Sequence, residues 1–92
     1  MTFKSFMEIA LQQARAAAKR GEIPVGAVVV SADGRVVAQA GNYTRESCDP
    51  SAHAEVLAIR KACANLGQER LSGHDLYVTL EPCAMCAGLI AA

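Results

Sequence analysis

No tryptophan occurs in this 92-residue chain, and aromatic residues make up only 4 % of it. Since 52 % of the residues are still apolar, the core must be aliphatic and rich in alanine. Net charge is missing too, nine basic residues standing against nine acidic ones. That balance gives no general electrostatic case for a nucleic-acid partner. No run of about 18 apolar residues is present, so nothing is expected to span a membrane. The N-terminus has no apolar signal-peptide core followed by a cleavage site. These absences point to a cytoplasmic protein. In that compartment the four cysteines fit metal binding or free thiols better than disulfides. A chain of 92 residues makes one small domain, of a size at which a metal or a partner chain often helps.

What is present reads in order as helix and strand. Residues 3–20 form an amphipathic helix, with Phe3, Phe6, Met7, Ala10, Leu11, Ala14, Ala17 and Ala18 on one stripe. Thr2 caps it in preference to Ser5, and Gly21 stops it. Pro24 opens a strand, Val25-Gly26-Ala27-Val28-Val29-Val30, whose unbroken apolar run predicts cover on both faces. Asp33-Gly34 makes a hairpin turn. Residues 35–40 return antiparallel with a more exposed alternation, and Gly41-Asn42 ends them. A polar loop follows. A second helix runs from near Ser51 to about Leu66, its stripe being Val56, Ile59, Ala62, Cys63 and Leu66, and Gly67 ends it. Cys63 is then a core thiol, and Cys48 in the loop has no assigned role. Ser72-Gly73 turns into a third strand, Leu76-Tyr77-Val78-Thr79-Leu80.

The chemistry gathers after that strand. Pro82 suits the first turn of a helix, so Cys83 and Cys86 sit on that turn, and a spacing of three puts both sulfurs on one face. The positive end of the helix favours thiolate, the form that binds metal. Alone, this pair has a rival reading as a thioredoxin-like redox motif. A redox pair, however, has no use for His53-Ala54-Glu55 at the start of another helix. His53 and Glu55 are two apart, about 200° around a helix. They can serve one site only if it lies off the helix N-terminus. His53, Cys83 and Cys86 make three protein ligands, and a zinc with three keeps one position for water. Glu55, beside the metal without being a ligand, can take the water proton and pass it on. The bland alternatives are a surface or capping histidine and a solvent-facing glutamate.

H-x-E…P-C-x-x-C is the signature of zinc nucleobase deaminases. Here it stands as His53-Ala54-Glu55 and Pro82-Cys83-Ala84-Met85-Cys86. The chain therefore resembles the cytidine deaminase-like superfamily. Glu22-Ile23-Pro24-Val25-Gly26-Ala27-Val28, Gly41-Asn42, Ala52-His53-Ala54-Glu55 and Tyr77-Val78-Thr79-Leu80-Glu81-Pro82-Cys83 look most like the bacterial tRNA-specific adenosine deaminases. The zinc motif itself is shared with cytosine, guanine and deoxycytidylate deaminases.

The resemblance implies an α/β fold: a three-layer α/β/α sandwich on a mixed sheet of order 2-1-3-4-5. Residues 1–92 would supply its first three strands and first three helices. It implies one zinc ion per chain, a tRNA substrate, a homodimer and no membrane. It implies hydrolysis of a wobble adenosine to inosine, with Glu55 moving the protons. Asn42 would hydrogen-bond the purine, although a turn asparagine is an equal reading. The Ala54 backbone would meet the base edge, and Pro24 and Val25 would line the pocket. Another zinc deaminase, acting on a free base or nucleotide, remains an alternative, as does an inactive zinc-binding fragment of the fold. No charged residue follows Glu81. A helix apolar all round is normally buried, so the sequence is expected to stop inside a domain.

Overall fold

The computed structural model describes residues 6–68 and 71–79. The expected third helix, with Glu81, Pro82, Cys83 and Cys86, lies outside the described residues, as do Thr2, Phe3 and Ser5. Helix α1 spans Phe6–Lys19, strands β1 and β2 span Gly26–Val30 and Val36–Gly41, helix α2 spans Ala54–Leu66, and strand β3 spans Asp75–Val78. The order across the sheet is β2-β1-β3, the first three places of the order that the resemblance implies. β1 runs antiparallel to both neighbours, so the described part of the sheet is wholly antiparallel.

Every residue of β1 is buried, as its unbroken apolar run predicts. Alternation along a strand sends successive side chains to opposite faces. Ala27 and Val29 join Ala38, Ala40, Ala54, Ala58 and Ala62 on the α2 side, while Val28 and Val30 meet Ala10 on the α1 side. Phe6 and Tyr77 close that second cluster, their ring centroids 5.5 Å apart. Helices thus cover both faces, and the sandwich is formed. Burying a valine such as Val28 contributes about 2 kcal/mol.

Both helices keep much of the expected stripe, Ala10, Ala14 and Ala17 in α1 and Val56, Ile59 and Ala62 in α2, but some of its members turn outward. In α1 the buried positions are Ala10, Ala14 and Ala17, while Met7 and Leu11 are each 39 % exposed and Ala18 faces solvent. The cause is glycine on the sheet. A Cβ on Gly26 would sit 1.9 Å from the Ala10 carbonyl oxygen, and one on Gly41 would sit 2.6 Å from that of Gln13. The helix backbone rests almost directly on these two paired residues, which are neighbours across β1 and β2. Only small side chains fit at such an approach. In α2 likewise Ala54, Ala58 and Ala62 enter the core, and Leu66 is 40 % exposed. Cys63 is half-buried rather than a fully buried core thiol.

Gly21 adopts a φ of +82°, a conformation that suits glycine. It ends α1 and lets the Glu22 N–H reach back to the Ala17 carbonyl at 3.0 Å. The chain then enters β1 with Glu22 buried and Ile23 exposed.

Candidate metal and substrate site

The site grows from the point where β2 ends. Asn42 is buried there, at 6 % exposure. Its N–H donates to the Val25 carbonyl at 3.1 Å, which ties it to the start of β1. Its carbonyl accepts from Arg20 Nη2 at 2.9 Å. Its side chain turns to the other layer, where Oδ1 accepts the Ala54 N–H at 2.8 Å. That N–H is one of the first N–H groups of α2, which have no partner inside the helix. Asn42 therefore caps α2 from a distance.

This bears on His53. It is the N-cap residue of α2, with extended φ and ψ of −76° and 150°, and its side chain makes no cap hydrogen bond. The capping is carried by Asn42, so the reading of His53 as a capping histidine fails. Its carbonyl accepts the Leu57 N–H at 2.9 Å, the first backbone bond of the helix. Glu55 follows one residue into the helix and is 4 % exposed, so it is not a solvent-facing glutamate. Both residues belong to the N-terminal end of α2. The partial positive charge of that end favours an anion or an ionised water nearby.

The connection from Asn42 to His53 is held at many points. The Tyr43 N–H donates to the Ala52 carbonyl at 2.9 Å, which closes the loop at its neck. Asp49 Oδ1 accepts the Ser51 N–H at 2.9 Å and the Ser51 hydroxyl at 2.7 Å. These bonds, the hydroxyl first, hold the Asp49 carboxyl below its usual value. Glu22 reaches in from the end of α1. Its Oε1 accepts the Arg45 N–H at 3.1 Å and its Oε2 the Glu46 N–H at 2.9 Å, with the Thr44 hydroxyl at 3.4 Å. Burial pushes the Glu22 carboxyl up. The Arg45 and Glu46 N–H groups, the Thr44 hydroxyl and the Arg20 charge outweigh it, so the group lies below its ordinary value of 4.5. Cys48, with a φ of 52°, sits exposed on the outer turn of the loop.

Of the residues that the sequence singles out, Asn42, Ala54, His53 and Glu55 come together at one helix end, with Val25 joined through its carbonyl. Val25 is buried against Ala54 in the α2-side core, while Pro24, one residue earlier, is exposed. Cys83 and Cys86 lie outside the described residues. Among the described residues no three His, Cys, Asp or Glu side chains form a metal shell. The donor set nevertheless fits zinc: an imidazole not spent on capping, two thiols at metal-ligand spacing, and a buried carboxylate two residues from the imidazole. Sequence reasoning gave Glu22 and Arg20 no part in this arrangement. Their partners lie 22 to 24 residues away along the chain, and no local pattern marks them.

The cytidine and deoxycytidylate deaminase zinc-binding region matches residues 1–92, the whole chain. The chain belongs to that family. A tRNA-specific adenosine deaminase of Agrobacterium fabrum is 63 % identical over 86 residues, which cover 94 % of this chain and 56 % of that protein. A solved structure from work on A-to-I editing by tRNA:A34 deaminases at the wobble position is 63 % identical, with a TM-score of 0.90 over 94 % of this chain and 65 % of that one. The guanine deaminase of Bacillus subtilis also reaches a TM-score of 0.90, at 43 % identity over 99 % of this chain and 58 % of that one. The chain thus spans about half the length of the curated relatives it matches.

Proposed function

We propose that this chain carries the zinc and proton-transfer half of an enzyme that hydrolyses adenosine to inosine at the wobble position of tRNA. One observation supports it above the others: Asn42 caps α2, leaving His53 at the N-cap and Glu55 buried beside it. His53, Cys83 and Cys86 would hold one zinc ion. Bound zinc lowers the pKa of a coordinated water to near neutrality. Glu55 would take one proton from that water and place it on the purine ring, and would then carry the second, from the new C6 hydroxyl, to the departing amine. The water oxygen would end on C6, with the C6–N6 bond broken and the amine released as ammonia. Asn42 holds a purine ring nitrogen through Nδ2, its Oδ1 being engaged by Ala54. The Ala54 backbone, Val25 and Pro24 line the base pocket. A homodimer and a cytoplasmic location belong to the same reading, and both rest on the family resemblance.

A free purine base is the second substrate reading, favoured by the likeness to a guanine deaminase. The test compares a hairpin RNA bearing a wobble adenosine with free guanine, in the full-length protein. Inosine formation in the hairpin supports the tRNA reading, and ammonia released from guanine alone supports the other. In the same assay Glu55→Gln keeps zinc and loses at least about a hundredfold in rate. Near-normal activity in that variant would remove Glu55 from the mechanism.

A further inference from the structure

We propose that Glu22 is a positioning residue: it holds the 43–49 loop as a preformed rim on which the polynucleotide outside the base pocket rests. The inference builds on the RNA reading of the site. Glu22 is 5 % exposed, yet its carboxylate serves no helix or strand. Both of its oxygens are spent on the loop, one on the Arg45 N–H and the Thr44 hydroxyl, the other on the Glu46 N–H. Hydrogen bonds to an ionised acceptor are roughly twice as strong as neutral ones. Residues 45–48 are all exposed, so hydrogen bonds rather than burial hold the loop.

The two ends of this loop are two parts of the site, Asn42 and the turn that carries His53 and Glu55. It starts beside Asn42 and runs through Asp49 to His53. A polynucleotide whose base sits at Asn42 passes beside it in this reading. The loop offers chemistry suited to RNA. The exposed Arg45 is fixed by its Nη1 donating to the Gly21 carbonyl at 3.1 Å, and a held cation suits a phosphate. Tyr43 is 37 % exposed, and the Arg20 guanidinium stands 4.1 Å from its ring centroid. An aromatic ring held in this way is a platform for an unstacked base. Arg20 also binds the Asn42 carbonyl. The rim and the purine-binding residue therefore share an anchor. Held this way, the loop pays no ordering entropy when RNA arrives.

Glu22→Gln isolates the idea, because it keeps the shape and replaces one acceptor oxygen by a donor that faces an N–H. In the full-length protein we expect zinc content to be unchanged and the Arg45 and Glu46 amides to exchange hydrogen at least about tenfold faster. The KM for a wobble-adenosine hairpin should rise about tenfold while kcat stays within about twofold, the size expected for loss of one charge-assisted bond. Glu22→Asp, which keeps both acceptors, should recover part of the KM. Unchanged KM, or a fall in kcat alone, overturns the proposal. Should Glu22→Gln not fold, Arg45→Gln carries the test, since its side chain lies outside the Glu22 bonds. A raised KM supports the rim, and an unchanged one rejects it. If the parent protein forms no inosine, the deaminase reading fails separately. Hairpin affinity in the parent and Glu22→Gln then decides the rim, weaker binding supporting it and equal binding overturning it.

Discussion

The 31–35 turn and the 43–53 loop are built from the same residue types, serine, aspartate and arginine, and they differ in where their bonds go. In the turn everything is local. The Ser31 N–H donates to the Arg35 carbonyl at 2.8 Å, the Ser31 hydroxyl bonds Asp33, and Arg35 pairs with Asp33 at 3.1 Å. All of these groups lie within four residues and face water. The longer loop takes its anchors from the end of α1, where Glu22 accepts the Arg45 and Glu46 N–H groups and Arg20 stands over Tyr43, while Asn42 just before it is tied to Arg20 and to Ala54. A turn made of local bonds joins two strands and needs nothing else. A loop bonded to another element is held in one shape, as a metal ligand and a general base require.

The largest break in this comparison comes from Asn42→Ala. It removes the acceptor for a buried helix N–H, and loss of a helix cap costs about 1 to 2 kcal/mol. The same change frees the turn that carries His53, so zinc affinity should fall with stability. Denaturant unfolding and metal titration on one sample measure both. Asn42→Asp keeps the acceptor and should restore most of the stability. A loss of stability with zinc affinity intact would separate the cap from the metal site.

Acid sharpens the comparison next. The Glu22 carboxyl in the folded state lies below its ordinary 4.5, so near that pH the folded chain binds fewer protons than the unfolded one. Its contribution is present in full above about 4.5 and is lost as pH falls through the lowered folded value. Glu22→Gln has no such group. The stability gap between the parent and the variant should therefore be widest near neutrality and close as pH is lowered toward 3. Thermal unfolding across that range is the measurement. A gap that widens in acid would mean that the carboxylate is not the bonded form.

Much of this was legible in the residues. The strands, the Asp33-Gly34 turn and the His53-Ala54-Glu55 helix start follow from local patterns of period, turn chemistry and capping. The expected α1 stripe holds at Ala10, Ala14 and Ala17 and fails at Met7, Leu11 and Ala18. Gly26 and Gly41 bring the helix backbone so near the sheet that Ala10, Ala14 and Ala17 are what fit, and Met7 and Leu11 turn outward. The role of Asn42 as a remote cap, and the reach of Glu22 and Arg20 into the loop, depend on tertiary proximity. A glutamate between Gly21 and Ile23 looks like any helix-end acid until the loop folds over it.

The smallest effect belongs to the self-contained turn. The Asp33 carboxyl is lowered first by the Ser31 hydroxyl and then by the charge of Arg35, which gives the appearance of a strong anchor. Exposure argues otherwise. The Arg35 and Asp33 side chains are 83 % and 62 % exposed, so water competes for each bond and salt screens the pair. Gly34, at a φ of +84°, already sets the turn, and the Gly34 N–H to Ser31 carbonyl bond at 2.9 Å survives removal of the carboxylate. Asp33→Ala should shift the melting temperature by no more than about 3 °C. That shift should shrink further in molar salt, with zinc content and kcat untouched. A larger loss, or one insensitive to salt, would show that the turn is coupled to the rest of the sheet and that the contrast with the 43–53 loop is one of degree.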